Sequence, residues 1–304
     1  MKNNNDLILL KPEKNKKKIT ASVIYYLVGA ILALTFIFPL IYMLATSTKT
    51  EEVYANNAGT IMMFLPDFSS ISTWFDNYAV VFGEIGIWKY ALNTFLYSGI
   101  VIVFNILVNG LAGYVLSKFH LPGKKFFLFI ILFLIVVPVE TSMIPLYSVV
   151  KNLLGLKKEL SVFAVILPPV ISVFNIFLFI QFFQSIPKDY EEAARIDGAS
   201  RLRVFFDVII PLSKPIIATV AVFCFIGVWN DYLWPTMVLP AASGDGEWPL
   251  LTIQAALTAI TSREGITTGE TMAALVVTSV PIFILYVAAQ KYIVQGFGAA
   301  GLKL

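Results

Sequence analysis

Hydrophobic residues run along this chain in long blocks separated by short polar stretches. Apolar runs of about 20 residues, the length a helix needs to cross a bilayer, recur at roughly 21–44, 89–116, 125–149, 160–184, 214–238 and 271–294. The pattern predicts an all-α integral membrane protein with six spans. Between them lie a polar tail (1–20), a long segment (45–88), links at 117–124 and 150–159, a charged segment (185–213), a glycine-bearing loop (239–270) and a short tail (295–304). Residues 1–20 therefore read as a basic tail, 21–88 as the first span with its outer segment, 89–294 as the transmembrane domain proper and 295–304 as a C-terminal tail.

Composition agrees with that pattern. Hydrophobic residues make up 58% of the chain and charged ones 13%, and the mean hydropathy of +0.80 lies in the range of membrane bundles. A net charge of +3 gives no reason to expect a nucleic-acid partner. Cys224 is the only cysteine, which excludes an intrachain disulfide and a thiolate metal cluster. The N-terminal lysines precede a run of spanning length with no small-residue cleavage site, unlike a removable signal peptide.

Charge also predicts orientation. Lys11, Lys14, Lys16, Lys17 and Lys18 in the tail, Lys118, Lys124 and Lys125 around the second link, and Lys188, Arg195, Arg201, Arg203 and Lys214 around the charged segment fall on one side. Lys291 and Lys303 join them. The positive-inside rule makes that side cytoplasmic, with both termini inside a cell membrane. Lys151, Lys157 and Lys158 dissent, falling outside.

Within the charged segment, "DYEEAARIDGAS" (189–200) reads as a helix, a glycine turn and a second helix. Pro187 suits a first helical turn, and Asp189, Glu191 and Glu192 complement the helix dipole there. Tyr190, Ala193, Ala194 and Asp197 recur at helical spacing as a narrow face of mostly small side chains. Gly198 is placed to end the helix in a left-handed cap, and Ser200 to N-cap the next helix, which runs toward Pro211. Lys188 with Glu192 and Glu191 with Arg195 have the spacing of stabilising pairs in a solvated link. Flanking carboxylates and small residues that admit another backbone point instead to a docking element.

Polar residues inside spans have a cost and usually a reason. Glu140, between Pro138 and Pro145, is a candidate to line a translocation path or to pair with a neighbouring span. Trp229, Asn230 and Asp231, near the outer end of span five, could bond and stack on a sugar, or gate, or pack at the membrane interface. Asn93, Asn105, Asn109 and Asn175 read as helix-to-helix hydrogen bonds. Neither a Ser-His-Asp set nor H-E-x-x-H is present, no carboxylate pair has convincing spacing, and lone His120 sits among loop lysines, so the chain does not read as an enzyme.

"EAARIDG" followed by "VIIP" resembles the cytoplasmic loop signature of binding-protein-dependent ABC importer permeases: Glu-Ala-Ala, three residues, Gly, nine residues, then an aliphatic residue, one more, and aliphatic-Pro. Glu192, Ala193, Ala194, Gly198, Val208, Ile210 and Pro211 meet it. "GVWNDYLWP" (227–235), "IPLY" (144–147) and "NTFLYS" (93–98) are similar to the sugar-importer branch, typified by the second permease subunit of maltose transporters.

The resemblance implies that 187–211 is a coupling loop docking on a separate ATPase. Glu192 would pair with a basic residue there, and Ala193, Ala194 and Gly198 would permit close contact. Glu191, Arg195, Asp197 and Arg201 on the same element are further docking candidates. No G-x-x-x-x-G-K-[ST] loop is present, so ATP and magnesium would belong to the partner, and the chain itself is expected to hold no cofactor or metal. Implied partners are two ATP-binding subunits, a sister permease, an external solute-binding protein, a sugar and the lipid bilayer of a prokaryotic cell membrane. Asp245, Glu247 and Trp248 in the outer loop would reach the binding protein. The ending "GFGAAGLKL" departs from the Gly-Ala-Val-Lys-Gly usual in the family. Glycerol phosphodiesters or polyols are rival substrates, but a phosphate would call for Arg or Lys inside the spans, where none is clearly placed. An ion-coupled symporter, which would explain Glu140, and a non-transporting scaffold remain as other classes.

Overall fold

The computed structural model describes residues 16–240 and 249–301, with side chains for 22–240 and 249–290. The chain is all-α, and every regular element among the described residues is helical. Helix α1 (Lys16–Thr46) leads into an outer segment with α2 (Glu51–Asn57) and α3 (Asp76–Gly83). Then come α4 (Ile87–Lys118), α5 (Lys124–Val136), α6 (Met143–Ser148), α7 (Ser161–Val170) and α8 (Val173–Ser185). The charged segment forms α9 (Asp189–Ile196), α10 (Arg201–Val204) and α11 (Ile210–Leu212). The chain continues through α12 (Lys214–Asn230), α13 (Leu233–Val238), α14 (Ile253–Thr261) and α15 (Thr268–Gly301).

Four stretches are long and apolar enough to cross a membrane alone: Ser22–Thr46, Ile87–Lys118, Lys158–Ser185 and Thr268–Gln290. Two bent pairs, Lys124–Val136 with Val139–Leu153 and Arg201–Leu212 with Lys214–Asn230, raise the number to as many as six.

The third run is not the straight span that its hydropathy suggests. It turns by 97° after Val136. Pro138 holds Val137 in an extended conformation and offers no N–H to continue the helix. The fourth run is interrupted at Ile171 and Ser172, after Pro168 and Pro169. Inside a bilayer the carbonyls freed by such a break need partners. Asn105 Nδ2 donates to Pro169 O at 2.9 Å and Asn109 Nδ2 to Val170 O at 2.8 Å, while Asn109 Oδ1 accepts from Ser172 N at 3.0 Å. Asn175 Nδ2 completes the set on Asn105 Oδ1 at 2.9 Å. The asparagines thus act between helices, as their position inside spans suggests, and they repair a broken one.

Cores form toward both ends of the bundle. Near α9 the buried set includes Tyr114, Phe179, Phe183, Val204, Phe205, Ile209 and Val220. Close approach of α4 to α8 depends on Gly113, where a Cβ would lie 2.6 Å from Phe179 Cβ. At the opposite end, the return limb of the loop between α13 and α15 is sewn to α4. Asn93 Nδ2 donates to Pro249 O (2.6 Å) and Leu251 O (3.1 Å), Tyr97 OH to Leu250 O (3.1 Å), and Ile253 N to Thr94 Oγ1 (2.8 Å). Residues 253–261, read from sequence as part of a loop, are a helix because Ile253, Ala256, Leu257 and Ile260 share one buried face.

The outer segment closes over the start of α15. Glu51 Oε2 accepts from Thr268 N at 2.9 Å, and Asn77 Nδ2 donates to Ser47 O and Lys49 O at 2.9 and 2.8 Å. Lys49 is buried with its ammonium on Met62 O at 2.8 Å. Burial pushes its pKa below the ordinary range, and the Asp67 carboxylate opposes that shift. One dissenting lysine also gains a structural reason: Lys151 Nζ donates to Val238 O, at the last residue of α13.

Candidate functional site: the loop between the fourth and fifth spans

Helix α9 forms much as its sequence directs. Asp189, Glu191 and Glu192 occupy its first turn. Gly198 adopts φ +84°, and its N–H donates to Arg195 O at 3.1 Å while Ala199 N donates to Ala194 O at 3.0 Å, the paired bonds of a Schellman cap. Ser200 Oγ accepts from Arg203 N at 3.3 Å and caps α10. Pro187 falls two residues before α9 rather than in its first turn.

The small-residue face divides. Successive helical residues lie about 100° apart, so the two alanines cannot face the same way. Ala194 turns in and packs, with Ala199, on the aromatic core below. Tyr190, Ala193 and Asp197 stay exposed, and beside them Ile196 is 86% exposed. Such a large aliphatic residue in water on a polar helix is a feature the sequence reading passed over. Glu192, Arg195, Gly198 and Arg201 are exposed on the same element, and the Arg201 guanidinium lies 4.5 Å from the Phe119 ring centre.

Neither expected pair within α9 forms. Glu191 turns inward, its Oε1 2.9 Å from Lys118 Nζ and its Oε2 accepting from Tyr114 OH at 3.4 Å. Lys118 also donates to Ile186 O at 2.7 Å. The Lys118 and Glu191 side chains are 5% and 15% exposed, against 72% and 63% for the surface pair of Arg203 and Asp207. A contact shielded from water outweighs exposed partners a turn away. Beside this pair, Lys118, His120, Lys124 and Lys188 line a cavity of about 410 Å³.

The path candidates are spread out. Glu140 lies in a short 3₁₀ turn just past the break of the third run. It is exposed among the exposed apolar residues Val136, Val139 and Ile144, and its carboxylate has no partner among the described residues. Trp229 is fully buried: its Nε1 donates to Thr278 O at 3.0 Å, and its ring packs on Phe225 and Phe95 with centroids 5.3 and 4.9 Å away. It binds α4, α12 and α15 together rather than presenting a face to an open path. Asn230 is exposed where α12 ends, and Asp231 Oδ1 accepts from Trp234 N at 3.2 Å, starting α13. Asp245, Glu247 and Trp248 lie outside the described residues. Sequence reading missed Tyr114 and Lys118 as partners of this loop, for Tyr114 is 77 residues from Glu191 and no local pattern links them.

Residues 109–298 match the family described as "Binding-protein-dependent transport system inner membrane component". The chain is 29% identical over 291 residues to the arabinooligosaccharides transport system permease protein AraQ of Halalkalibacterium halodurans, covering 94% of this chain and 99% of that one. It is 33% identical over 263 residues to the diacetylchitobiose uptake system permease protein NgcG of Streptomyces coelicolor, covering 84% and 81%. The crystal structure of a bacterial ABC transporter involved in the import of the acidic polysaccharide alginate contains a chain that superposes with a TM-score of 0.74 at 28% identity, over 91% of this chain and 98% of that one.

Proposed function

Because the chain belongs to the family of inner membrane components of binding-protein-dependent transport systems, we propose that it is one permease half of an ATP-driven importer for a carbohydrate, an oligosaccharide above all. The observation that carries this is the exposed face of α9, with Tyr190, Ala193, Ile196 and Asp197 beside the Gly198 turn. An apolar side chain so exposed on a charged helix fits a partner's groove, with Glu192, Arg195 and Arg201 as its charged rim. The partner would be a pair of ATP-binding subunits, which would hold ATP and magnesium. A sister permease would complete the path, and an external solute-binding protein would deliver the sugar, with Asp245, Glu247 and Trp248 as its contact candidates. The two named relatives and the alginate importer all handle carbohydrates, which supports the substrate class.

The chemistry required of this chain is mechanical. Closure of the ATPases on ATP would push the loop 187–211, rock the spans outward and open the path to the binding protein; hydrolysis would reset it. Glu140 and Asn230, both exposed, would face the path or the sister subunit, since an uncompensated carboxylate does not rest in lipid. With the coupling loop inside, both termini are cytoplasmic in the cell membrane of a prokaryote.

The test is sugar-stimulated ATP hydrolysis and sugar uptake by the complex in proteoliposomes, for the wild type, Gly198→Pro and Glu192→Lys. Proline cannot reach φ +84° and removes the N–H that Gly198 donates to Arg195 O. Both activities should collapse in Gly198→Pro and fall in Glu192→Lys while the spans still assemble. Uptake that persists without ATP, driven by an ion gradient, would reject the reading and put Glu140 at the centre.

A further inference from the structure

Helix α9 has no fully buried residue, and only its Ala194 leans on the core beneath. Apolar contacts of that kind let one surface slide over another, so they transmit direction poorly. What fixes α9 in place is Lys118. It is the last residue of α4, it donates to the carbonyl of Ile186 where α8 ends, and it pairs with Glu191 in the first turn of α9. The charges suit these positions. An ammonium is favoured where the negative ends of α4 and α8 converge, and a carboxylate is favoured in the first turn of α9. Tyr114, one turn back on α4, donates its hydroxyl to the other oxygen of Glu191 at 3.4 Å. The core supplies backing, with the Tyr114 ring 5.3 Å from that of Phe205.

We propose that Lys118 is the positioning residue through which movement of α9 reaches the second and fourth spans, with Glu191 as its counterpart on the moving helix. This rests on the reading of 187–211 as the ATPase-docking loop. Of the docking candidates, Glu191 then serves inside the chain, and the outward residues serve the partner. Removing one member of a shielded pair leaves the other charge without compensation, so α9 would still bind the ATPase but would pull less firmly on the spans.

The experiment measures sugar imported per ATP hydrolysed by the full complex, for the wild type, Lys118→Met, Glu191→Gln and Lys118→Arg. In Lys118→Met the complex should assemble and hydrolyse ATP, while sugar imported per ATP falls about tenfold, a size common for coupling between sites. Glu191→Gln, which keeps the side chain's shape, should fall in the same way and carries the test if Lys118→Met does not assemble. Lys118→Arg keeps the charge and should retain most of the wild-type ratio. A ratio that stays at the wild-type value in Lys118→Met or Glu191→Gln overturns the proposal. So does a fall in uptake and hydrolysis in equal proportion, which marks a merely structural contact. A wild-type complex that imports without ATP rejects the docking reading and this proposal with it, and that outcome is visible in the wild type alone.

Discussion

At the end of the bundle that carries α9 and α10, aromatic packing does most of the holding, and one shielded ion pair ties the loop to the spans. At the opposite end, side chains of α4 and of the outer segment hold loop backbone by hydrogen bonds. Asn93, Thr94 and Tyr97 grip residues 249–253, Asn77 grips Ser47 and Lys49, and Glu51 meets Thr268. Many directed bonds spread over a surface make a rigid cap. A loop resting on an oily floor, tied to α4 by the few contacts of Glu191 with Lys118 and Tyr114 and of Arg201 with Phe119, would act as a lever. On the proposed reading, the end that carries the charged motif is the moving one.

The contrast can be broken at several points. The largest effect is expected from Gly113→Val, which forces a branched side chain where even a Cβ would lie 2.6 Å from Phe179 Cβ and 3.3 Å from Ile180 N. Overpacking of this kind costs about 1–3 kcal/mol or more, and the thermal midpoint in detergent should drop accordingly. Asn105→Leu comes next, since it strips Pro169 O of its donor and leaves the Asn175 amide only its contact with Cys224 Sγ at 3.4 Å. A loss of about 1–3 kcal/mol is expected from the unpaired groups, with the fourth span loosened in hydrogen exchange around 169–175. Glu51→Ala should cost less, about 0.5–1 kcal/mol for a lost helix-start contact, because Thr267 and Glu270 still cap α15 reciprocally. Sugar uptake should hardly change, which would separate the cap from the lever.

The smallest effect concerns pH. The folded state of Lys49 has a pKa lowered from 10.5, so in the window below 10.5 the folded chain binds fewer protons than the unfolded one. Stability contributed there rises as pH climbs through the folded value toward 10.5. Lys49→Met should flatten that slope relative to the wild type in thermal unfolding.

How much of this was legible follows the same division. The runs that became α1, α4 and α15 were plain from apolar length, and α9 with its cap was plain from Gly198 and Ser200, because those signals are local. Pro138 stands at the bend after Val136, but apolar length alone reads 125–149 as one span and gives no sign of the 97° turn. The asparagines announced hydrogen bonds but not that their acceptors would be the carbonyls of a broken span. Least legible were contacts across great chain distance. Thr94 meets Ile253 across 159 positions and Glu51 meets Thr268 across 217, and nothing near either residue marks its partner. Lys118 showed only as a charge that reports orientation, and its place between three helices emerged from the fold.

The most direct measurement is disulfide-free cysteine cross-linking in the assembled complex, with Cys224→Ser as the background. One cysteine is placed at Ile196 on the exposed face of α9 and another at Glu52 on the outer segment. A short bismaleimide is expected to join the Ile196 position to an ATP-binding subunit, with a yield that changes when ATP is added, and never to join the Glu52 position to it. An Ile196 cysteine that reacts freely with a membrane-impermeant reagent from outside the cell and fails to cross-link to the ATPase would contradict that expectation.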